Sequence, residues 1–248
     1  MDSTHMNEAR PTRRPDWLWI VILTLLVINV LPFLAPVFAR LGWGQAARAI
    51  YLLYAPLCHQ MAQRSFFLFG PEGFQMYNLA DLPIPGIVEM NIGQKLQMLR
   101  AFVGSESLGW KVAWSDRMVY MYGSMLLFSV LYAFIRRRQI RPLPLWAVVL
   151  LMLPMALDGT THWISDLDGI GQGFRYTNAW LANLTAHALP ASFYSGDAIG
   201  SFNSLARLVS GLTFGLAVCG LAFPYLDSLA RMAPSRQLPT AVHEGWEL

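Results

Sequence analysis

Four stretches without a formal charge constrain this chain more than any other feature. A helix crossing about 30 Å of hydrocarbon, at about 1.5 Å per residue, needs roughly 20 apolar residues. Trp17 to Ala39 offers 23, Met118 to Ile135 offers 18, and Leu208 to Leu226 offers 19. Pro142 to Leu157 has 16, and Asp158-Gly-Thr-Thr-His-Trp-Ile follows, so this helix can continue with polar groups embedded. A fifth run, Ala49 to Gln63, has 15 residues and carries Pro56, His59 and two glutamines. It reads as an interfacial or re-entrant helix. The expectation is an all-α membrane protein: four spans (about 17–39, 118–135, 142–162 and 208–226), that short helix, and two long outer segments, 40–117 and 158–207. These form one membrane domain, 17–227, between tails 1–16 and 228–248. Composition agrees. With 55% hydrophobic and 13% charged residues, the chain lacks the polar surface of a soluble globule of its size. Its Leu, Trp and Phe content argues against disorder, and a net charge of +3 is too small for a nucleic-acid partner.

Arginine and lysine orient the spans. With the N-terminus cytoplasmic, the inner pieces 1–16, 136–141 and 227–248 carry nine basic residues in 44, against nine in 128 for the outer pieces. Arg136-Arg137-Arg138 is the strongest anchor. The expected location is a bacterial inner (plasma) membrane, multi-pass, with both termini cytoplasmic. The first span could instead be a signal peptide, with Val37-Phe38-Ala39 as a cleavage site. Its length and its internal Pro32 and Pro36 favour an uncleaved anchor. The first 15 residues and the last dozen read as disordered.

Outer segments of this size usually carry function or their own structure. The first holds Cys58-His59-Gln60, Arg64-Ser65-Phe66-Phe67-Leu68-Phe69-Gly70, a Leu82-Pro83-Ile84-Pro85-Gly86 breaker and a helix-like stretch from Gln94 to Val103. The second holds Asp166, Asp168, turns at Gly169, Gly171 and Gly173, and Phe193-Tyr194-Ser195-Gly196-Asp197.

Ordered motifs accompany these segments. Cys58-His59-Gln60 with Arg64 to Gly70 comes first, followed by Ser115-Asp116-Arg117-Met118-Val119-Tyr120. Then come Asp158-Gly159-Thr160-Thr161-His162 and Leu205-Ala206-Arg207-Leu208-Val209-Ser210-Gly211-Leu212-Thr213-Phe214-Gly215. Together, over roughly residues 44 to 227, they resemble the bacterial and archaeal membrane proteins grouped as domain of unknown function 2085. The resemblance implies a helical membrane fold and carries almost no function. It also exposes a departure. Many members carry two further cysteines where this chain has Ser115 and Met118. A Cys-His pair plus Cys-x-x-Cys would read as a tetrahedral zinc site, whereas Cys58 and His59 lack thiolate partners here.

The motifs converge on one membrane face. Cys58, His59, Gln60 and Arg64 lie on or after the short outer helix; Asp116 and Arg117 open the second span, Asp158 and His162 end the third, and Arg207 starts the fourth. Asp158 and His162 stand at i and i+4, on one helical face. Ionisable groups near hydrocarbon usually face one another or a water-filled cavity, so these nine residues form a candidate ligand-binding cluster. His59, His162 and Asp158 are its candidate metal ligands. Structural readings stand beside this one. Arg117 and Arg207 could snorkel and tie to Asp116 or Asp158, His59 could be a satisfied buried histidine, and Asp158-Gly159 could be a helix terminus. Cys58 could be an unreactive core thiol. Cys219 reads as packing, and Gly211 with Gly215 as a close-approach face for a helix, more readily within the bundle than across to a partner.

Metalloprotease, hydrolase, P-loop and dinucleotide signatures are missing from the sequence, and no motif names a cofactor. Haem would have only His59, His162 and outer His187 as axial candidates. The leading expectation is a non-enzymatic binding or accessory module in the lipid bilayer, taking a lipid, pigment, quinone or partner helix, or serving a larger membrane complex. A metal-assisted intramembrane hydrolase or transferase is the first alternative, a small-solute transporter the second.

Overall fold

The computed structural model describes residues 16–232; the first 15 residues and the last dozen, expected to be disordered, lie outside the described residues. Four helices are long and apolar enough to cross a membrane. They are α1 (Trp17–Arg40), α4 (Asp116–Ile135), α5 (Leu145–Leu167) and α9 (Phe202–Met232). Helix α9 packs against both α4 and α5, and α1 packs against α4. Helix α1 opens on Asp16, whose side chain accepts from the Leu18 N–H, and runs through Pro32 and Pro36. Such prolines are tolerated where neighbouring groups satisfy the freed carbonyls. Tyr54 is one such neighbour, its hydroxyl donating at 3.1 Å to Ile28 O, the carbonyl that Pro32 leaves without a donor, and Asn29 donates across to Tyr122 O of α4 at 3.1 Å. Glycine brings α9 close to α4. A β-carbon on Gly211 would stand 2.7 Å from Tyr120 Cβ, and one on Gly215 2.1 Å from Ser124 Oγ. Ser124 Oγ donates to Gly211 O at 2.8 Å across this contact. The small-residue face is therefore spent inside the bundle.

The outer segments depart from the all-helical expectation in one respect. The first contains a four-stranded antiparallel sheet, ordered β2-β1-β4-β3. Its strands are β1 (Ser65–Gly70), β2 (Gly73–Gln75), β3 (Gly104–Ser105) and β4 (Gly109–Ser115). Strand β4 lies along α1 and leads directly into α4. Helix α2 (Gly44–Tyr54) is the short helix expected at Ala49–Gln63, but it ends before Pro56, which has no N–H to continue the helical bonding. Cys58-His59-Gln60 is consequently not helical. Helix α3 (Ile92–Ala101) starts on an Asn91/Gln94 capping box. The second outer segment holds three short helices: α6 (Phe174–Thr177), α7 (Ala179–Leu184) and α8 (Ala191–Tyr194).

A buried aromatic core (Tyr51, Tyr54, Phe66, Trp114) joins α1, α2 and the sheet, and a second (Phe67, Leu82, Leu99, Ile170) lies beneath the outer loops. At the opposite end Asp227 accepts from Arg136, Tyr132 and Trp17, while Arg136 also reaches Asp16.

Candidate functional site

Helix α5 does not stop at Asp158-Gly159; it continues to Leu167 and buries Asp158, His162 and Ser165 on one face. The terminus reading is thereby excluded. Burying a carboxylate is costly unless charges and hydrogen bonds replace its water. Asp158 finds both: Arg117 Nη2 donates to Oδ2 and Arg175 Nη2 to Oδ1, each at 2.7 Å. His162 Nδ1 lies 3.0 Å from Asp158 O and 3.2 Å from Oδ1. On its far side His162 Nε2 lies 3.3 Å from Arg207 Nη1. His162 thus links the Asp158 group to the Arg207 group.

Arg207 is 1% exposed, so it does not snorkel. Its Nε donates to Asp116, its Nη1 to Asp197 Oδ1 at 2.8 Å, and its Nη2 to the Asp197 carbonyl at 3.2 Å. Asp116 also accepts from the Arg117 N–H at the first turn of α4, where a helix favours negative charge. Arg64 closes the network with a two-pronged bond to Asp166, both contacts 2.8 Å, and a 3.2 Å contact from Nε to Asp197. Burial would raise the Asp197 carboxyl, but the Arg64 and Arg207 guanidiniums hold it well below the usual carboxylate range. Arg64 is pushed up against its own desolvation by the same two aspartates. Four guanidiniums face four carboxylates.

Six of the nine candidates meet in this network: Arg64, Asp116, Arg117, Asp158, His162 and Arg207. Three further members, Asp166, Arg175 and Asp197, come from the end of α5 and the second outer segment. Asn78 places Asp197 by accepting from the Asp197 and Ala198 N–H groups at 3.0 and 3.1 Å. The loop approaches so closely that a β-carbon on Gly196 would stand 2.0 Å from Asn78 Oδ1. Asn203 donates to the Arg175 and Gly196 carbonyls and holds the same loop from α9.

Cys58, His59 and Gln60 sit beside the network. Cys58 is buried, and its sulfur accepts from the Gln60 and Ser115 N–H groups at 3.3 and 3.4 Å. Gln60 is buried too, donating from Nε2 to Tyr51 O at 2.9 Å and accepting at its carbonyl from Lys111 Nζ at 2.8 Å. His59, expected to be a satisfied buried histidine, is exposed instead. Pro56 ends α2 and the following turn directs this residue outward. A small cavity of about 130 Å³ brings Cys58, His59, Ser115 and Met118 together, with Ser115 Oγ 3.5 Å from Cys58 Sγ. Two of those four positions carry a hydroxyl and a thioether where zinc would need thiolates. Among the described residues no group of three His, Cys, Asp or Glu side chains is placed to hold a metal ion. Asp158 and His162 are engaged by guanidiniums.

A cleft of about 330 Å³ opens against the network. His59, Arg64, Arg117 and His162 contribute polar lining; Leu96, Trp163, Leu167 and Ile170 contribute apolar wall.

Residues 106–221 match a family described as "Predicted membrane protein (DUF2085)", the family whose motifs the chain carries. The chain is also similar to an uncharacterized protein of Methanocaldococcus jannaschii, 27% identical over 182 residues that cover 70% of this chain and 91% of that one. No solved structure matches the chain.

Proposed function

We propose that this membrane protein is a non-enzymatic binding module whose outer ionic network holds open a cleft for an amphipathic ligand of the lipid, pigment or quinone class. One observation carries the reading. The cleft is lined both by network side chains, Arg64, Arg117, His162 and Asp166, and by the apolar Leu96, Trp163, Leu167 and Ile170, which suits a molecule with one polar end and a hydrocarbon or ring body. The chemistry of the network favours binding over catalysis. Each of its four carboxylates is engaged by a guanidinium, so none is free to act as a general base.

Mass spectrometry of molecules co-purifying in mild detergent tests this. Trp163 and His59 are exposed, so Trp163→Ala and His59→Ala should leave thermal stability unchanged and lose the bound molecule. Retention in both variants, or no amphipathic molecule in the wild type, overturns the reading.

The orientation belongs to the same proposal: termini cytoplasmic, network outward, in a plasma membrane. It rests on the density of Arg and Lys, nine in the 44 residues of the inner pieces against nine in the 128 of the outer ones. The native cysteines are buried. A cysteine at exposed Ser107 should therefore react with a membrane-impermeant thiol reagent in intact cells; labelling only after lysis would invert the topology.

A further inference from the structure

A larger cavity, about 660 Å³, lies between the outer end of α1, helix α2, the end of α3 and the sheet. It shares no lining residue with the cleft described above. Its volume comes from side chains that are missing or short: Ala39, Gly42, Gly44, Ala47 and Ala55 line it. A β-carbon on Gly44 would meet nothing within 4 Å, and Gly44 needs no left-handed backbone. The space is therefore open and not merely loose packing.

Its polar groups have one sign. Arg48 and Arg100 are in the lining, and no carboxylate is. Among the described residues neither guanidinium pairs with an acid, and Arg100 donates only to the Ala55 carbonyl, at 3.0 Å. Gln60, 2% exposed, also lines the cavity, with its Nε2 donating to Tyr51 O.

Depth in the bilayer gives the third constraint. From Arg207 in the outer ionic network to Asp227 in the inner one, α9 climbs 20 residues, about 30 Å, the thickness of the hydrocarbon layer. Helix α1 starts at the inner layer and exceeds that length by four residues, so Ala39 and the α2 turn stand at the outer hydrocarbon boundary. Trp43, Leu52 and Leu53 of this region are each at least 60% exposed. They offer an apolar flank continuous with the cavity through Leu52. An occupant must have an anionic head for the arginines and a chain able to run down that flank.

We infer that this cavity is a binding site for the head group and upper chain of an anionic phospholipid of the outer leaflet. Zwitterionic lipids fill the same volume but bring a cationic group beside two guanidiniums that no acid offsets, and free phosphate has no chain to cover the apolar wall.

Native mass spectrometry of the full chain, delipidated in mild detergent and then offered defined lipids, tests the inference. Phosphatidylglycerol should be retained about ten-fold or more better than phosphatidylcholine of the same chains. Gly44→Leu, which fills the open space, should abolish that retention. Arg48→Gln with Arg100→Gln should lower phosphatidylglycerol to the phosphatidylcholine level. Inorganic phosphate should not compete. Equal retention of the two lipids by the wild type, or unchanged preference in the arginine pair, overturns the inference, as does displacement by phosphate alone. If Gly44→Leu lowers thermal stability, the arginine pair decides. Loss of the cleft ligand in Trp163→Ala is independent of all these outcomes.

Discussion

Asp197 shows how single residues hold this site. It is 6% exposed and draws on two guanidiniums from different parts of the chain, Arg64 before the sheet and Arg207 in α9. Removing one member of such a buried pair leaves the other charge uncompensated, at about 3–5 kcal/mol. The sign of its pH dependence follows from its lowered carboxyl. A folded-state pKa below the unfolded value of about 3.9 contributes stability above that pH, and the contribution is lost as pH falls through the folded value. The stability gap between wild type and Asp197→Asn, read by denaturation in detergent, should be constant near neutrality and shrink below about pH 4. A gap that does not change with pH would mean that the carboxylate charge is not what Asp197 contributes. Lys111 is a second buried cation, with a different solution. Burial pushes its amine down to about 7, but the Gln60, Leu99 and Arg100 carbonyls, at 2.8–3.2 Å, give each ammonium hydrogen an acceptor and favour the charged form.

Elements differ in how plainly the residues announce them. The four spans follow from length and charge alone, because hydrocarbon admits few other solutions. The continuation of α5 through Gly159 is legible in the i, i+4 spacing of Asp158 and His162. The sheet is not. Ser65–Gly70 and Gly109–Ser115 are short apolar runs that periodicity cannot distinguish from helix, and the β1–β4 register shifts between Ser65 and Phe67, which breaks alternation. The usable signal is Gly70-Pro71-Glu72-Gly73, a turn between two aromatic runs. For the site, Asp116, Arg117, Asp158, His162 and Arg207 stand out because they are ionisable at span ends. Arg175 and Asp197 lie in a segment without periodicity, and only folding shows which partners of opposite charge they and Arg64 meet. The α4–α9 contact gives an element-scale prediction. Gly215→Leu must displace Ser124 and the Met125 backbone, which a β-carbon would approach to 2.1 and 2.9 Å. It should cost about 1–3 kcal/mol or more in a detergent melt; an unchanged melting temperature would show that the helices are further apart than described.

At the scale of the molecule, two ionic layers lie at opposite ends of the helix bundle. One, Asp16–Arg136–Asp227, ties the start of α1 to α4 and α9. The other joins α4, α5, α6 and α9 to the two long segments between spans, so the cleft is held by the same contacts that fasten those segments to the bundle. That arrangement requires the network to behave as a unit rather than as independent surface pairs, which contribute only about 0–1 kcal/mol each. The direct test is a double-mutant cycle on Asp158 of α5 and Arg117 of α4, measured by denaturation in detergent. Asp158→Ala should cost about 3–5 kcal/mol, and Asp158→Ala with Arg117→Ala should cost clearly less than the sum of the two singles. Small single losses that simply add would contradict the account, leaving two solvated charges where it places the linchpin of a buried network.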